Sequence, residues 1–97
     1  MQTGLVNISS ATTTTLVARY SARGSVKKMW ICNCNQDENV KIRLFLDDGT
    51  NQTSFVENLN IPGGITLQLT SILFDSSVLN LKLQTQGTGV DVNVIMR

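Results

Sequence analysis

Apolar and polar residues alternate with period two along most of this chain, and turn-forming residues interrupt the alternation at intervals of roughly 8–14 residues. The clearest segment is Val40–Leu46. There Val40, Ile42, Leu44 and Leu46 share one face of an extended strand, and Lys41, Arg43 and Phe45 share the other. Leu79, Leu81 and Leu83 alternate in the same way within Val78–Leu83, as do the even positions of Val90–Met96. Further strands are expected at Leu5–Ser9, Thr12–Tyr20, Val26–Cys34, Ser54–Asn60 and Ile65–Leu69. In Ser54–Asn60 the alternation puts Phe55, Glu57 and Leu59 on one face.

The intervening segments supply turn chemistry: Ser21–Gly24, the polar loop Asn35–Asn39, Asp47–Gly49, Ile61–Gly64 and Gly87–Gly89. No ten-residue stretch repeats apolar residues at helical spacing, and Ser71–Ser77 has room for one helical turn at most. Eight short strands with Pro and Gly confined to turns predict an all-β fold, a single antiparallel β-sandwich or jelly-roll-like domain over residues 1–97. A chain of this length suffices for one core. There is no linker, low-complexity tail or internal repeat.

Several function classes recede on composition. Apolar residues make up 41% and charged residues 15%, as expected of a globular chain. The net charge of +1 gives no polycationic surface for nucleic acid or an acidic membrane. Histidine is absent, which removes the commonest metal ligand and the commonest general base at neutral pH. About a third of the residues are Thr, Ser, Asn or Gln, so solubility rests on uncharged polar groups. The first residues carry no basic segment followed by an apolar run, so no secretory signal is expected. No segment approaches the roughly 18 apolar residues of a membrane span.

Candidate chemical groups are sparse. Cys32 and Cys34 form a Cys-x-Cys with no second pair or histidine to complete a metal site. A disulfide between them would be strained, because the two side chains stand about 6–7 Å apart along one face of a strand. Two free thiols packed as small side chains are expected. Of the seven carboxylates, Asp37, Glu38, Asp47 and Asp48 fall in two predicted loops, where solvation keeps them ordinary. Asp47–Gly49 lacks the alternating oxygen ligands of a calcium loop and reads as a plain turn. The glycines of Ile61–Gly64 come without the lysine and helix of a phosphate loop. These residues predict no enzyme, no cofactor and no metal.

Large side chains on faces predicted to meet solvent are more informative. With Met29 and Ile31 inward, Trp30 points outward, and Phe45 points outward beside Arg43. Antiparallel pairing of 26–34 with 40–47 would bring Trp30 close to Arg43 or Phe45. Aromatic residues with arginine serve interfaces as anchors, so Trp30, Arg43 and Phe45 are the candidate partner-binding residues. The alternative is that both aromatics are covered within the chain. Lys27, Lys28, Lys41 and Arg43 make a modest basic stripe that reads better as a solvated strand face than as a nucleic-acid site.

From the Thr-rich strand at Ala11–Val17 to the closing strand at Val90–Val94, the chain resembles small β-sandwich virion proteins of tailed bacteriophages, of the capsid decoration and neck- or tail-associated class. The resembling residues include Val26–Asn33 with its Ile31-Cys-Asn33 end, Val40–Gly49, the Ile61-Pro62 step and Ile65–Leu69. The turn at Gly24 departs from the family, being followed by Ser25 and Val26 with no proline nearby. The resemblance implies a non-enzymatic decoration or cement protein in the virion, made in the host cytoplasm. It would bind the major capsid protein or other virion proteins as a homo-oligomer or symmetric multi-copy assembly, without nucleic acid or membrane. A neck, tail or fibre adaptor is the nearest alternative. A carbohydrate-binding module stacking sugars on Trp30 and Tyr20 is an alternative of a different class.

Overall fold

A computed structural model describes residues 4–18, 26–72, 74 and 78–97. The predicted turn at Ser21–Gly24, the stacking candidate Tyr20 and most of the possible helical turn before Val78 lie outside the described residues. Eight strands are present: β1 (Gly4–Ile8), β2 (Thr13–Val17), β3 (Val26–Asn33), β4 (Val40–Asp47), β5 (Gln52–Ile61), β6 (Thr66–Ile72), β7 (Asn80–Gln86) and β8 (Val92–Met96). They form two four-stranded antiparallel sheets, β1-β8-β3-β6 and β2-β7-β4-β5.

The pairing is nested. β1 pairs with β8, β2 with β7, β3 with β6 and β4 with β5. Additional ladders between β3 and β8 and between β4 and β7 fold this long hairpin into two facing sheets. That winding is a jelly roll, and it confirms the predicted antiparallel sandwich. It corrects the expectation that the segment after Asn33 closes a hairpin. β3 and β4 lie in different sheets, so residues 34–39 cross from one sheet to the other.

Strand parity builds the core. Met29, Ile31, Val92, Val94 and Met96 enter it from one sheet; Val40, Ile42, Leu44, Leu81 and Leu83 enter from the other. Each fully buried side chain of this size contributes about 1.5–3 kcal/mol through the surface it removes from water. Two local irregularities adjust the parity. The amides of Lys27 and Lys28 both donate to the Arg97 carbonyl, at 2.8 and 3.2 Å, so both lysines are exposed before alternation resumes at Met29. In β5 the register slips twice against β4, between Ile42 and Leu44 and again between Leu44 and Phe45. The expected common face of Phe55, Glu57 and Leu59 is therefore broken: Leu59 lies opposite Ile42, whereas Phe55 and Glu57 fall in the slipped stretches.

At one end of the sandwich the connections β3–β4, β5–β6 and β7–β8 are tied through Asn33, a polar residue only 1% exposed, and its neighbour Asn35. Its amide donates to Ile65 O at 3.0 Å, and its carbonyl accepts from Gly64 N at 2.8 Å. Its side-chain Nδ2 donates to Glu38 O (2.8 Å) and Ile61 O (3.0 Å), and Oδ1 accepts from Asn35 N (3.2 Å). Asn35 then extends the tie by donating from Nδ2 to Gly89 O at 2.7 Å. The β5–β6 turn packs so close that a Cβ on Gly63 would lie 2.6 Å from the carbonyl oxygens of Asn35 and Gln36. Thr85, also buried, reaches the β1–β2 connection, with Oγ1 2.9 Å from Ser10 O. Removing one partner from such a buried set strands the others. Asn33→Ala is accordingly expected to lose about 2–3 kcal/mol of stability, read as a lowered midpoint in urea unfolding.

Candidate functional site

The three residues singled out by sequence do not share one surface. Trp30 stands on the outer face of the β1-β8-β3-β6 sheet, whereas Arg43 and Phe45 stand on the outer face of the β2-β7-β4-β5 sheet. The expected Trp30–Arg43–Phe45 surface required β3 to pair with β4, and the jelly-roll winding separates those strands. The basic stripe divides for the same reason: Lys27 and Lys28 belong to one sheet, Lys41 and Arg43 to the other.

Phe45 has the outward parity expected of it but is only 2% exposed. The Arg43 guanidinium lies over its ring, 4.2 Å from the centroid. Arg43 is held there from β5. Its Nε lies 3.1 Å from Ser54 Oγ and 3.0 Å from Glu57 Oε2, and its Nη1 donates to Gln52 Oε1 at 2.9 Å. The slipped register makes this clamp possible. Between the pairings Ile42–Leu59 and Leu44–Val56, both Glu57 and Asn58 oppose Arg43, and Asn58 takes the left-handed φ of 51°. Across the sheet, Lys82 lies opposite Phe45 and places Nζ 2.8 Å from Asp47 Oδ2. On this outer face Arg43 and Lys82 are paired within the sheet, and the ring of Phe45 is covered.

The Asp47–Gly49 turn is built from its own carboxylates. Asp47 Oδ1 accepts from Gly49 N at 2.8 Å, and Asp48 Oδ1 accepts from the amides of Thr50 (2.8 Å) and Asn51 (2.7 Å). The amides of Asn51 and Thr50 hold the Asp48 carboxyl below its ordinary value. Cys32 and Cys34 are free thiols with their Sγ atoms 3.8 Å apart. Burial, followed by the neighbouring Cys32, raises the Cys34 thiol above its usual value, which disfavours the reactive thiolate. Among the described residues, no group of three or more His, Cys, Asp or Glu side chains is placed to hold a metal ion.

The Trp30 face is different in kind. Leu5 on β1 pairs with Ile95 on β8, and Ile95 pairs with Trp30 on β3, so three apolar side chains form one cross-strand row facing solvent. An open depression of about 570 Å³ adjoins the row, lined by Trp30, Cys32, Thr66, Asn93, Ile95 and Arg97. A second hollow of about 410 Å³, lined in part by Leu5, Asn93 and Ile95, continues it to the β1 edge. Leu5 is 74% exposed and Ile95 39%. Sequence reasoning found Trp30 but missed these two. The signal was available, since Ile95 is an odd-numbered apolar residue in a strand whose even positions face the core.

Two expectations follow from the Arg43 clamp. Phe45→Ala should cost about 3 kcal/mol in chemical unfolding, whereas Phe55→Ala, on an exposed side chain, should change stability by less than about 1 kcal/mol. The Ser54 hydroxyl and then Arg43 hold the Glu57 carboxyl below its ordinary value. A depressed carboxyl stabilises the fold above its unfolded value and loses that contribution as the pH falls through the folded one. The stability gap between the wild type and Glu57→Gln should therefore be open at pH 7 and close below about pH 4.

No protein-family model and no curated protein sequence matches the chain. Among solved structures it is similar to a pentameric capsid protein isolated from metagenomic phage sequences, with a TM-score of 0.50 and 16% identity over 98% of this chain and 59% of that one. A second crystal structure of a pentameric capsid protein from metagenomic phage sequences, solved by iodide SAD phasing, aligns with a TM-score of 0.49 and 16% identity over 98% of this chain and 61% of that one. The chain thus spans about three-fifths of the length of the capsid proteins it matches, and the likeness is one of fold.

Proposed function

We propose that this chain is a non-enzymatic structural protein of a phage particle, a decoration or cement subunit present in many copies and bound to the major capsid protein. The observation that carries this reading is the eight-strand jelly-roll winding, which aligns over nearly the whole chain with a phage capsid protein that is pentameric. A cement protein adds contacts between shell subunits and needs no reacting group. A small two-sheet scaffold whose connections are tied together presents flat faces and edges to neighbours with little to reorder on binding. Uncharged amide and hydroxyl groups also cost less to desolvate at such contacts than charges do. Repetition over a symmetric lattice lets individually modest interfaces act together.

The reading is tested by the copy number of the chain in gradient-purified particles of the encoding phage, measured by quantitative mass spectrometry. Hundreds of copies per particle are expected of a protein on the capsid lattice. About six to a few dozen copies would overturn decoration in favour of a neck, tail or fibre position. Absence from particles would reject the virion role altogether.

A further inference from the structure

The outer face of the β1-β8-β3-β6 sheet carries a charge pattern as well as an apolar row. Strand residues two apart on one face stand about 6.8 Å apart, so the outward side chains fall into successive rows. Lys28 and Arg97 occupy the row at one end, joined by Lys27 through the local bulge. Leu5, Ile95 and Trp30, with Gln68, form the next row. Asn7, Asn93, Cys32 and Thr66 follow. Beyond them comes Asp91, whose carbonyl accepts from Cys34 N at 2.7 Å. The Asp91 carboxylate accepts from Asn7 Nδ2 at 3.2 Å and remains on the exposed surface. Asp37 and Glu38, in the adjoining β3–β4 connection, add negative charge at that end. The face is therefore basic at one end and acidic at the other, with one apolar row and one largely polar row between.

Such a face is complementary to itself. Turning one copy by 180° about an axis that lies in the face and runs across the strands lays Lys28 and Arg97 of one copy against Asp91 of the other. Midway between the two ends lies the gap between the Trp30 row and the Cys32 row. An axis through that gap sets Trp30 of each copy over the Cys32–Asn93–Thr66 side of the depression in the other. A rotation about an axis along the strands would instead bring like charges together, at a cost in affinity.

We propose that this face docks a second copy of the same chain, face to face and with antiparallel strands, in an isologous two-fold contact centred on Trp30 and Ile95. The footprint bounds its strength. Four strands about 4.8 Å apart and four rows deep cover roughly 400 Å² per copy, about half the area of a standard interface, so the pair is a weak, transient one that forms and dissociates with concentration. The inference goes beyond the virion role and does not depend on it, because the isolated protein suffices to test it.

The test is sedimentation velocity of the purified protein across a dilution series at low salt, with circular dichroism to verify the fold of each variant. The wild type is expected to shift from monomer to dimer as concentration rises. The double variant Lys28→Glu/Arg97→Glu and the single variant Asp91→Lys should each weaken that association by about tenfold or more, because each sets like charges opposite one another. An equimolar mixture of the two variants should recover the dimer, since the reversed charges at positions 28 and 97 of one copy then face the reversed charge at position 91 of the other. Trp30→Ala should also weaken the wild-type association. A wild type that stays monomeric, as expected if a glycan or another protein occupies the face, would overturn the proposal. So would charge variants that associate like the wild type, or a mixture that stays monomeric.

Discussion

Asn33 is the constraint on which the rest of the molecule rests. A jelly roll closes only when its first and last strands meet, and such long-range pairing has little local help. Here a single buried amide side chain, at the end of β3, binds the carbonyls of Glu38 and Ile61 and the amide of Asn35. Through Asn35 the tie reaches Gly89 in the β7–β8 connection. Three of the connections at that end are thus tied together through the side chains of Asn33 and Asn35.

The two outer faces then divide the work. On the β2-β7-β4-β5 side, Arg43, Glu57, Ser54 and Gln52 close over Phe45, and Lys82 meets Asp47. An aromatic ring under a guanidinium that is itself held by three β5 side chains is an internal contact. On the other side, Leu5 and Ile95 are exposed, and Trp30 stands half-buried in the same row. A contiguous apolar row on an otherwise polar sheet marks a contact surface, and its flanking charges state what fits it.

Much of the fold is legible in the sequence, for a physical reason. Period-two alternation records which side of a strand meets the core, and the even positions of Val90–Met96 face inward as expected. Alternation does not record which strand lies alongside. The polar segment between β3 and β4 has the composition of a hairpin loop yet crosses between sheets, because the nested pairing assigns β3 to β6 and β8. That one difference separated Trp30 from Arg43 and Phe45. Outward parity was right for Phe45, but its cover comes from β5, whose two register slips leave no trace in residue type. Leu5 and Ile95 carried the same parity signal as Trp30 and were hidden only by being ordinary aliphatic residues.

The Trp30 face is the surface proposed to dock a second copy of the chain. Trp30 is the only tryptophan in the chain, so its fluorescence reports on that face alone. The direct measurement is quenching of this emission by acrylamide at rising protein concentration. Falling accessibility to the quencher, with a shift of the emission to shorter wavelength, is what a copy-to-copy contact on this face predicts. Accessibility that stays constant while the protein self-associates would place the contact elsewhere and contradict the account.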